Sequence, residues 1–587
     1  MPVAERRYPG PTDGLVPLLR PLTSYLFDRE ESDEPAFTYL DFSADRDGAE
    51  CTVTWAELAA KVRATAAELV RLTTPGQRVA ILAPQDLSYV VAFLGALHAG
   101  TIAVPLFAPA VSQHSERLVG ALADSAPEIW LTSTSSLDTV RKLADGNPVP
   151  MPKQIVAVDA LSESGAAVEP VELDMDAPAY LQYTSGSTRA PAGAIITHRA
   201  VATNSWQAAD AFGVDASWTC AGWIPFFHDM GLIQMLCIPV LTGARSVFMT
   251  PFNFIMRPLR WLRQMSDYPS VYAAAPNFAF EYAARKVKEA DRDKLDLSGV
   301  RTIINGSEPV RASTIAAFQD AFGEHGFALT SHRPSYGLAE ATVFVTCTDE
   351  KGPVITAFDR AALAADRGLA VPRGTEGALE LVAAGNTTTQ LVRIVDPSTG
   401  ALRGDGEVGE IWAHGPNIAD GYWQQPERSE ETFGGRLTDA PAGLPADKWL
   451  RTGDLGLYHE GLLYVTGRIK DLIIIDGKNH YPQDIEVTVQ NAHPAVKQDR
   501  VAAFGVVSAQ GIEGVAVVAE YDRKAVPGEA DTDEVAKAVQ RAVSAEHDVK
   551  LRGFQLVQPG GVQRTSSGKI ARAATKERFW PAAGERF

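Results

Sequence analysis

Hydroxyls interleaved with glycine run through Tyr183-Thr184-Ser185-Gly186-Ser187-Thr188-Arg189. Such a segment lets backbone N–H groups and side-chain hydroxyls converge on phosphate oxygens. It is not the P-loop of nucleoside triphosphatases, because no Gly-Lys-Ser/Thr closes it and no helix pattern begins there. A plain Ser/Thr-rich turn has the same composition. Farther along, Ser335-Tyr336-Gly337-Leu338-Ala339-Glu340 offers a flat aromatic for a nucleobase and ends in a carboxylate. Arg451-Thr452-Gly453-Asp454 sets a carboxylate in a tight turn, suited to accepting hydrogen bonds from vicinal hydroxyls such as a ribose presents. Arg564-Thr565-Ser566-Ser567-Gly568-Lys569-Ile570 puts one lysine in a glycine turn. Each alone is also what a solvated loop looks like. In this order along one chain, they point to a site that handles a nucleotide.

These residues need a framework, and the hydrophobic pattern supplies one. Strands are expected on both sides of the hydroxyl-rich loop, over Ala179 to Gln182 and Ala194 to Thr197. Thr54 and Glu57 have capping-box spacing, and Leu58, Val62, Ala66 and Leu69 then share one helical face. Strands over Arg78–Leu82, Ile102–Leu106, Glu128–Thr132 and Gln154–Val158, with a helix over Ser88–Ala99, continue the alternation. Stacked α/β layers are the architecture such alternation favours. The uncharged run from Tyr89 to Val111 has the length of a membrane span. Gly95, His98, Gly100, Pro105 and Pro109 divide it into helix, turn and strand, so no membrane span is expected. At Gly467-Arg468-Ile469-Lys470-Asp471 the character changes. Beyond it, strands over Leu472–Ile475 and Arg500–Val507 and a helix over Thr532–Glu546 read as one compact α+β unit. The expected fold class is therefore α/β: a large N-terminal layered α/β domain over 1–466, a hinge at 467–470, and a small mobile α+β C-terminal domain over 471–587.

Composition narrows the partners. The 587 residues carry 54 basic and 72 acidic side chains, a net charge of −18, which argues against a broad grip on phosphate backbones. No nucleic-acid partner is expected. The four cysteines are far apart with no Cys-x-x-Cys pair, so neither a zinc site nor a disulfide framework is indicated. Reduced thiols and the absence of a secretory pattern in MPVAERRYPGPTDG fit a cytoplasmic protein, taken to be a monomer.

From about Thr54 to Lys569 the sequence resembles the adenylate-forming superfamily of acyl-CoA synthetases, luciferases and peptide-synthetase adenylation domains. Within it, the details are most similar to the fatty acyl-AMP ligases of mycobacteria and related actinobacteria. Where acyl-CoA synthetases read Thr-Gly-x-Pro-Lys-Gly, this chain has Thr188-Arg189-Ala190-Pro191-Ala192-Gly193. Trp223-Ile224-Pro225-Phe226-Phe227-His228-Asp229-Met230-Gly231-Leu232, Ala275-Pro276-Asn277-Phe278, Asn305-Gly306-Ser307-Glu308-Pro309 and Asp476-Gly477-Lys478-Asn479-His480-Tyr481-Pro482 are also close to that pattern. Extra sequence lies between Val354 and Asn386, where acyl-CoA synthetases are shorter. In the ligases such an insertion packs between the domains and disfavours the geometry that CoA needs.

The resemblance implies two steps. A long-chain fatty acid attacks the α-phosphate of ATP, giving acyl-adenylate and pyrophosphate with Mg²⁺ as cofactor. The acyl group then passes to the phosphopantetheine thiol of an acyl carrier protein domain of a polyketide or lipid synthase. By motif position, Lys569 is the catalytic lysine and Glu340 helps hold Mg²⁺. Thr184, Ser185, Gly186, Ser187 and Thr188 cradle phosphates, Tyr336 covers the adenine face with Gly306, Ser307, Gly337 and Leu338 forming the nearby pocket, and Glu308, Ser335 and Ala339 also belong to the ATP-binding set. Asp454 takes the ribose hydroxyls, Arg468 supports ribose or phosphate, and Lys470 marks the hinge. His228 is placed beside the substrate carboxylate as a positioning or gating group; a carboxylate with an ordinary pKa of about 4 needs no general base. A conventional long-chain acyl-CoA ligase is the alternative, and free CoA would separate the two.

Overall fold

The computed structural model describes residues 16–109, 115–163, 171–183, 191–475, 478–507, 513–526, 531–564 and 569–580. Thr184, Ser185, Gly186, Ser187 and Thr188 lie outside the described residues, as do 565–568. The expected helix after Thr54 spans Trp55–Leu72 and carries a complete capping box between Thr54 and Glu57. Leu58, Val62, Ala66 and Leu69 are all buried on its inner face.

Two largely parallel sheets form the bulk of the chain. One has six strands in the order 154–157, 129–132, 78–81, 102–105, 178–183, 193–197, with only the last pair antiparallel. The other has eight, in the order 344–347, 332–337, 300–306, 271–276, 219–222, 245–248, 35–41, 49–54, antiparallel only at its two edges. The helices Trp55–Leu72, Leu87–His98 and His198–Phe212 share a single apolar core with strands of both sheets. Parallel strands buried on both faces need such covering helices, which accounts for the nearly continuous apolar runs in their sequences. The uncharged run near Tyr89 accordingly folds as the buried helix Leu87–His98 and the strand Ile102–Pro105. Among the described residues no helix is long and apolar enough to cross a membrane.

A seven-stranded sheet built from antiparallel pairs follows, in the order 370–371, 355–359, 378–385, 462–468, 450–459, 409–414, 391–395. Three of its strands come from the extra sequence between Val354 and Asn386, which also contributes the short helix Arg360–Ala364. The remaining chain has its own core, in which Ile485, Val489, Val501, Val517, Val535 and Val539 meet between helices and a three-stranded sheet. Strand Val496–Val507 and helix Thr532–His547 belong to it.

Candidate active site

Four neighbouring strands of the eight-stranded sheet run parallel, and each delivers a site segment just past its carboxyl end. Strand Thr219–Gly222 leads to His228, Val271–Pro276 to Phe278, Val300–Gly306 to Ser307 and His332–Gly337 to Leu338. Loops at the carboxyl ends of parallel strands are where such sheets bind ligands. Ser307 adopts φ +63°, a left-handed conformation that costs a non-glycine residue roughly 1–2 kcal/mol. Its hydroxyl reaches the Met230 sulfur at 3.1 Å. At Gly337 only glycine fits: a Cβ there would stand 1.6 Å from the Val343 carbonyl oxygen.

The buried carboxylate of Asp454 connects three segments. Tyr336 donates its hydroxyl to Asp454 Oδ2 at 2.8 Å, and Arg468 donates Nε to Oδ1 at 2.9 Å. Burial pushes the Tyr336 phenol far above its usual range, and the neighbouring carboxylate reinforces the effect. Arg468 is held more firmly cationic by Asp454, against the opposing effect of burial.

Glu340 lies in the short turn Ala339–Ala341, where Tyr422 donates its hydroxyl to Oε1 at 2.6 Å. Among the described residues no three His, Cys, Asp or Glu side chains gather as a ready-made metal cage. A lone carboxylate of this kind could serve Mg²⁺, which takes one or two protein carboxylates and completes its shell with phosphate oxygens and water.

His228 faces Asp229, with Nδ1 and Oδ1 2.5 Å apart, and the Met230 N–H donates to the same Oδ1 at 2.7 Å. Burial opposes the charge on Asp229. The His228 ring, Lys569 and the Met230 N–H outweigh it and hold the carboxyl below its ordinary range. Glu308 accepts the Phe278 N–H at 2.6 Å, fixing the start of helix Asn277–Lys286. Burial raises its pKa, partly offset by that N–H, Arg311 and Lys569.

Lys569 reaches the same place from the far end of the sequence. Burial and Arg468 pull its pKa down, while the fields of Asp229, Glu308 and Asp454 work the other way. The structure thus brings Lys569, His228, Glu308, Asp454, Arg468, Tyr336 and Ser307 to one locus. Gly306, Ser335, Gly337, Leu338, Ala339 and Glu340 border it through their shared strands and turns. Sequence reasoning passed over Asp229, although it sits beside His228 in a quoted motif. It also passed over Tyr422, whose partner lies 82 residues away.

Known proteins match this chain over most of its length. Residues 27–423 match the AMP-binding enzyme family, and residues 470–583 match the Disco-interacting protein 2-like AMP domain. The long-chain-fatty-acid–AMP ligase FadD26 of Mycobacterium marinum is 42% identical, covering 94% of this chain and 95% of that protein. A 4-hydroxyphenylalkanoate adenylyltransferase of Mycobacterium tuberculosis is 40% identical, over 93% and 89%. Among solved structures, a fatty acyl-adenylate ligase of L. pneumophila in complex with acyl adenylate and pyrophosphate superposes with a TM-score of 0.73 at 32% identity, over 93% and 94% of the two chains. The chain therefore belongs to the AMP-binding enzyme family, in its branch of long-chain-fatty-acid–AMP ligases.

Proposed function

We propose that this protein activates a long-chain fatty acid with ATP and passes the acyl group to the phosphopantetheine thiol of an acyl carrier protein domain of a polyketide or lipid synthase. The observation that carries the reading is the buried Asp454 carboxylate bound by Tyr336 and Arg468 beside the strand ends, with Lys569 near enough to feel the charges of Asp454, Asp229 and Glu308.

In the first step a carboxylate oxygen of the acid attacks the α-phosphorus. The bond to the bridging oxygen breaks, and pyrophosphate leaves with that electron pair. Negative charge builds on the α-phosphate oxygens, and a fixed ammonium at Lys569 stabilises it while holding both reactants in line. Tyr336 walls the adenine beside Gly306, Ser307, Ser335, Gly337, Leu338 and Ala339. Asp454 accepts from the ribose hydroxyls, Arg468 braces it, and Thr184 to Thr188 cradle the phosphates. Glu308 serves indirectly, by fixing the Phe278 turn. His228, held by Asp229, orients the substrate carboxylate. Glu340 would hold Mg²⁺, which when bound supplies neutralisation of phosphate charge. In the second step the thiol sulfur forms the thioester bond, the acyl–phosphate oxygen bond breaks, and AMP leaves while the thiol proton passes to solvent.

We assign 1–466 to the acyl- and nucleotide-binding domain, 467–470 to the hinge and 471–587 to the mobile domain, in a cytoplasmic monomer. Ala192 in place of a phosphate-loop lysine favours a carrier protein over free CoA. So does the packing of the 354–386 region on the terminal unit, where Arg360 pairs with Asp484 and with Glu546 and Asp366 accepts from Asn479. The test incubates the protein with radiolabelled lauric acid, ATP and Mg²⁺, with and without CoA. Acyl-AMP that CoA does not consume supports the reading. Conversion to acyl-CoA would make this a conventional CoA ligase.

A further inference from the structure

Lys569 can act only if the terminal unit is seated on the large one, so what seats it matters. Strand Val496–Val507 is interrupted in its pairing between Val496 and Val501, and the irregularity carries Asp499 at φ +55°. Bulges re-aim side chains in this way, and aspartate tolerates the left-handed conformation. The carboxylate of Asp499 meets Arg311 of the large unit, Nη1 to Oδ1 at 2.7 Å, with Glu281 4.0 Å from the same nitrogen.

Both ends of this pair are anchored. The Arg311 N–H donates to Asn277 Oδ1 at 3.2 Å, and Asn277 is itself held by Thr314 and Asn305 in a buried network ending at His332. On the other side, the Asp499 N–H donates to Gln490 Oε1 at 2.6 Å, on helix Pro482–Ala492. The same helix presents Glu486 to Arg572 through two hydrogen bonds of 2.7 Å, three residues beyond Lys569. One rigid helix therefore joins the Asp499 turn to the segment that carries the lysine.

We propose that the Arg311–Asp499 pair is the joint that seats the terminal unit for adenylate formation, with Arg311 a positioning residue acting through Lys569. This deepens, and rests on, the activity proposed above.

The test measures pyrophosphate release with laurate for R311Q, D499N and R311Q/D499N, each with Lys569 intact and in a K569A background. A pair that is only partly buried predicts a loss of roughly tenfold in kcat for either single variant. The expected ATP KM stays within about threefold, and the double variant is no slower than the worse single one, as coupled sites require. R311K recovers part of the rate. In the K569A background, R311Q slows the reaction less than about twofold, because its target is already missing. An equal loss with and without Lys569, or no loss at all, overturns the proposal. A readout independent of turnover is amide hydrogen exchange over 223–231 and 300–308, which accelerates in R311Q if the seat is lost. Unchanged exchange there overturns the joint as well. A wild-type protein that makes no acyl-AMP counts against the activity, while the exchange result still decides the joint.

Discussion

Replacing Asp454 by asparagine separates a ribose-binding carboxylate from a merely structural one. Asp454 is 5% exposed and accepts from Tyr336 at 2.8 Å and Arg468 at 2.9 Å through different oxygens. Asparagine keeps the shape but offers one acceptor oxygen and, in place of the other, an NH₂ donor. The Arg468 side chain is half-exposed and can turn to water, so the amide oxygen stays with Tyr336. The stability loss is then that of one charge-assisted hydrogen bond, about 1.5 kcal/mol. Catalysis loses more. Hydrogen bonds to a charged group contribute about 1.5–3 kcal/mol each, and the variant gives up the charge and one of two acceptors. A deficit of about 3 kcal/mol corresponds to a fall of about 150-fold in kcat/KM for ATP. Pyrophosphate release against ATP concentration, beside urea unfolding, measures both quantities. A variant destabilised as calculated but within threefold of wild type in kcat/KM for ATP would refute ribose binding and leave Asp454 as a clamp on Tyr336.

Lys569→Ala slows acyl-AMP formation by at least about 100-fold, a loss like that of one oxyanion donor, and an undiminished single-turnover rate would remove the lysine from the mechanism. Gly337→Ala forces a methyl into backbone at 1.6 Å and costs more than about 3 kcal/mol in urea unfolding; near-wild-type stability would show that the turn can relax. Burial lowers the pKa of His332 to about 3 and those of His198 and His547 to about 4, so all three are neutral in the folded protein above those values. Below pH 6.5 the unfolded chain binds protons that the folded one does not, so stability is complete above that pH and falls as pH drops towards 4, by up to about 1.4 kcal/mol per pH unit for each such histidine. His332→Asn should make the slope between pH 6 and 5 shallower by about one proton, and an unchanged slope would contradict the burial argument.

Much of this was legible because it is local. Thr54 and Glu57 announce their helix, and the apolar runs at Arg78 and Ile102 announce buried strands within a residue of their observed ends. Tyr336, Asp454 and Lys569 could be picked out because each stands in a short motif with its own chemistry. Pairings that only the tertiary fold creates left no such trace. Tyr422 on Glu340, Arg311 on Asp499 and Arg360 on Asp484 join residues 82, 188 and 124 positions apart, and no periodicity or spacing relates them. The region from Val354 to Asn386 shows the same limit. Its extra length was visible, but its three strands are members of a larger sheet, completed by partners such as Leu463 and Tyr464 far along the chain.

The site segments hang from the ends of adjoining parallel strands, and this has an evolutionary consequence. The strands fix where each loop begins through backbone hydrogen bonds that are indifferent to side-chain identity. A loop such as 223–230 or the turn at Phe278 can therefore change its residues while the frame beneath keeps its register. Loop sequence and strand register become separately heritable, so a lineage carrying this fold can vary its loops without rebuilding the frame beneath them.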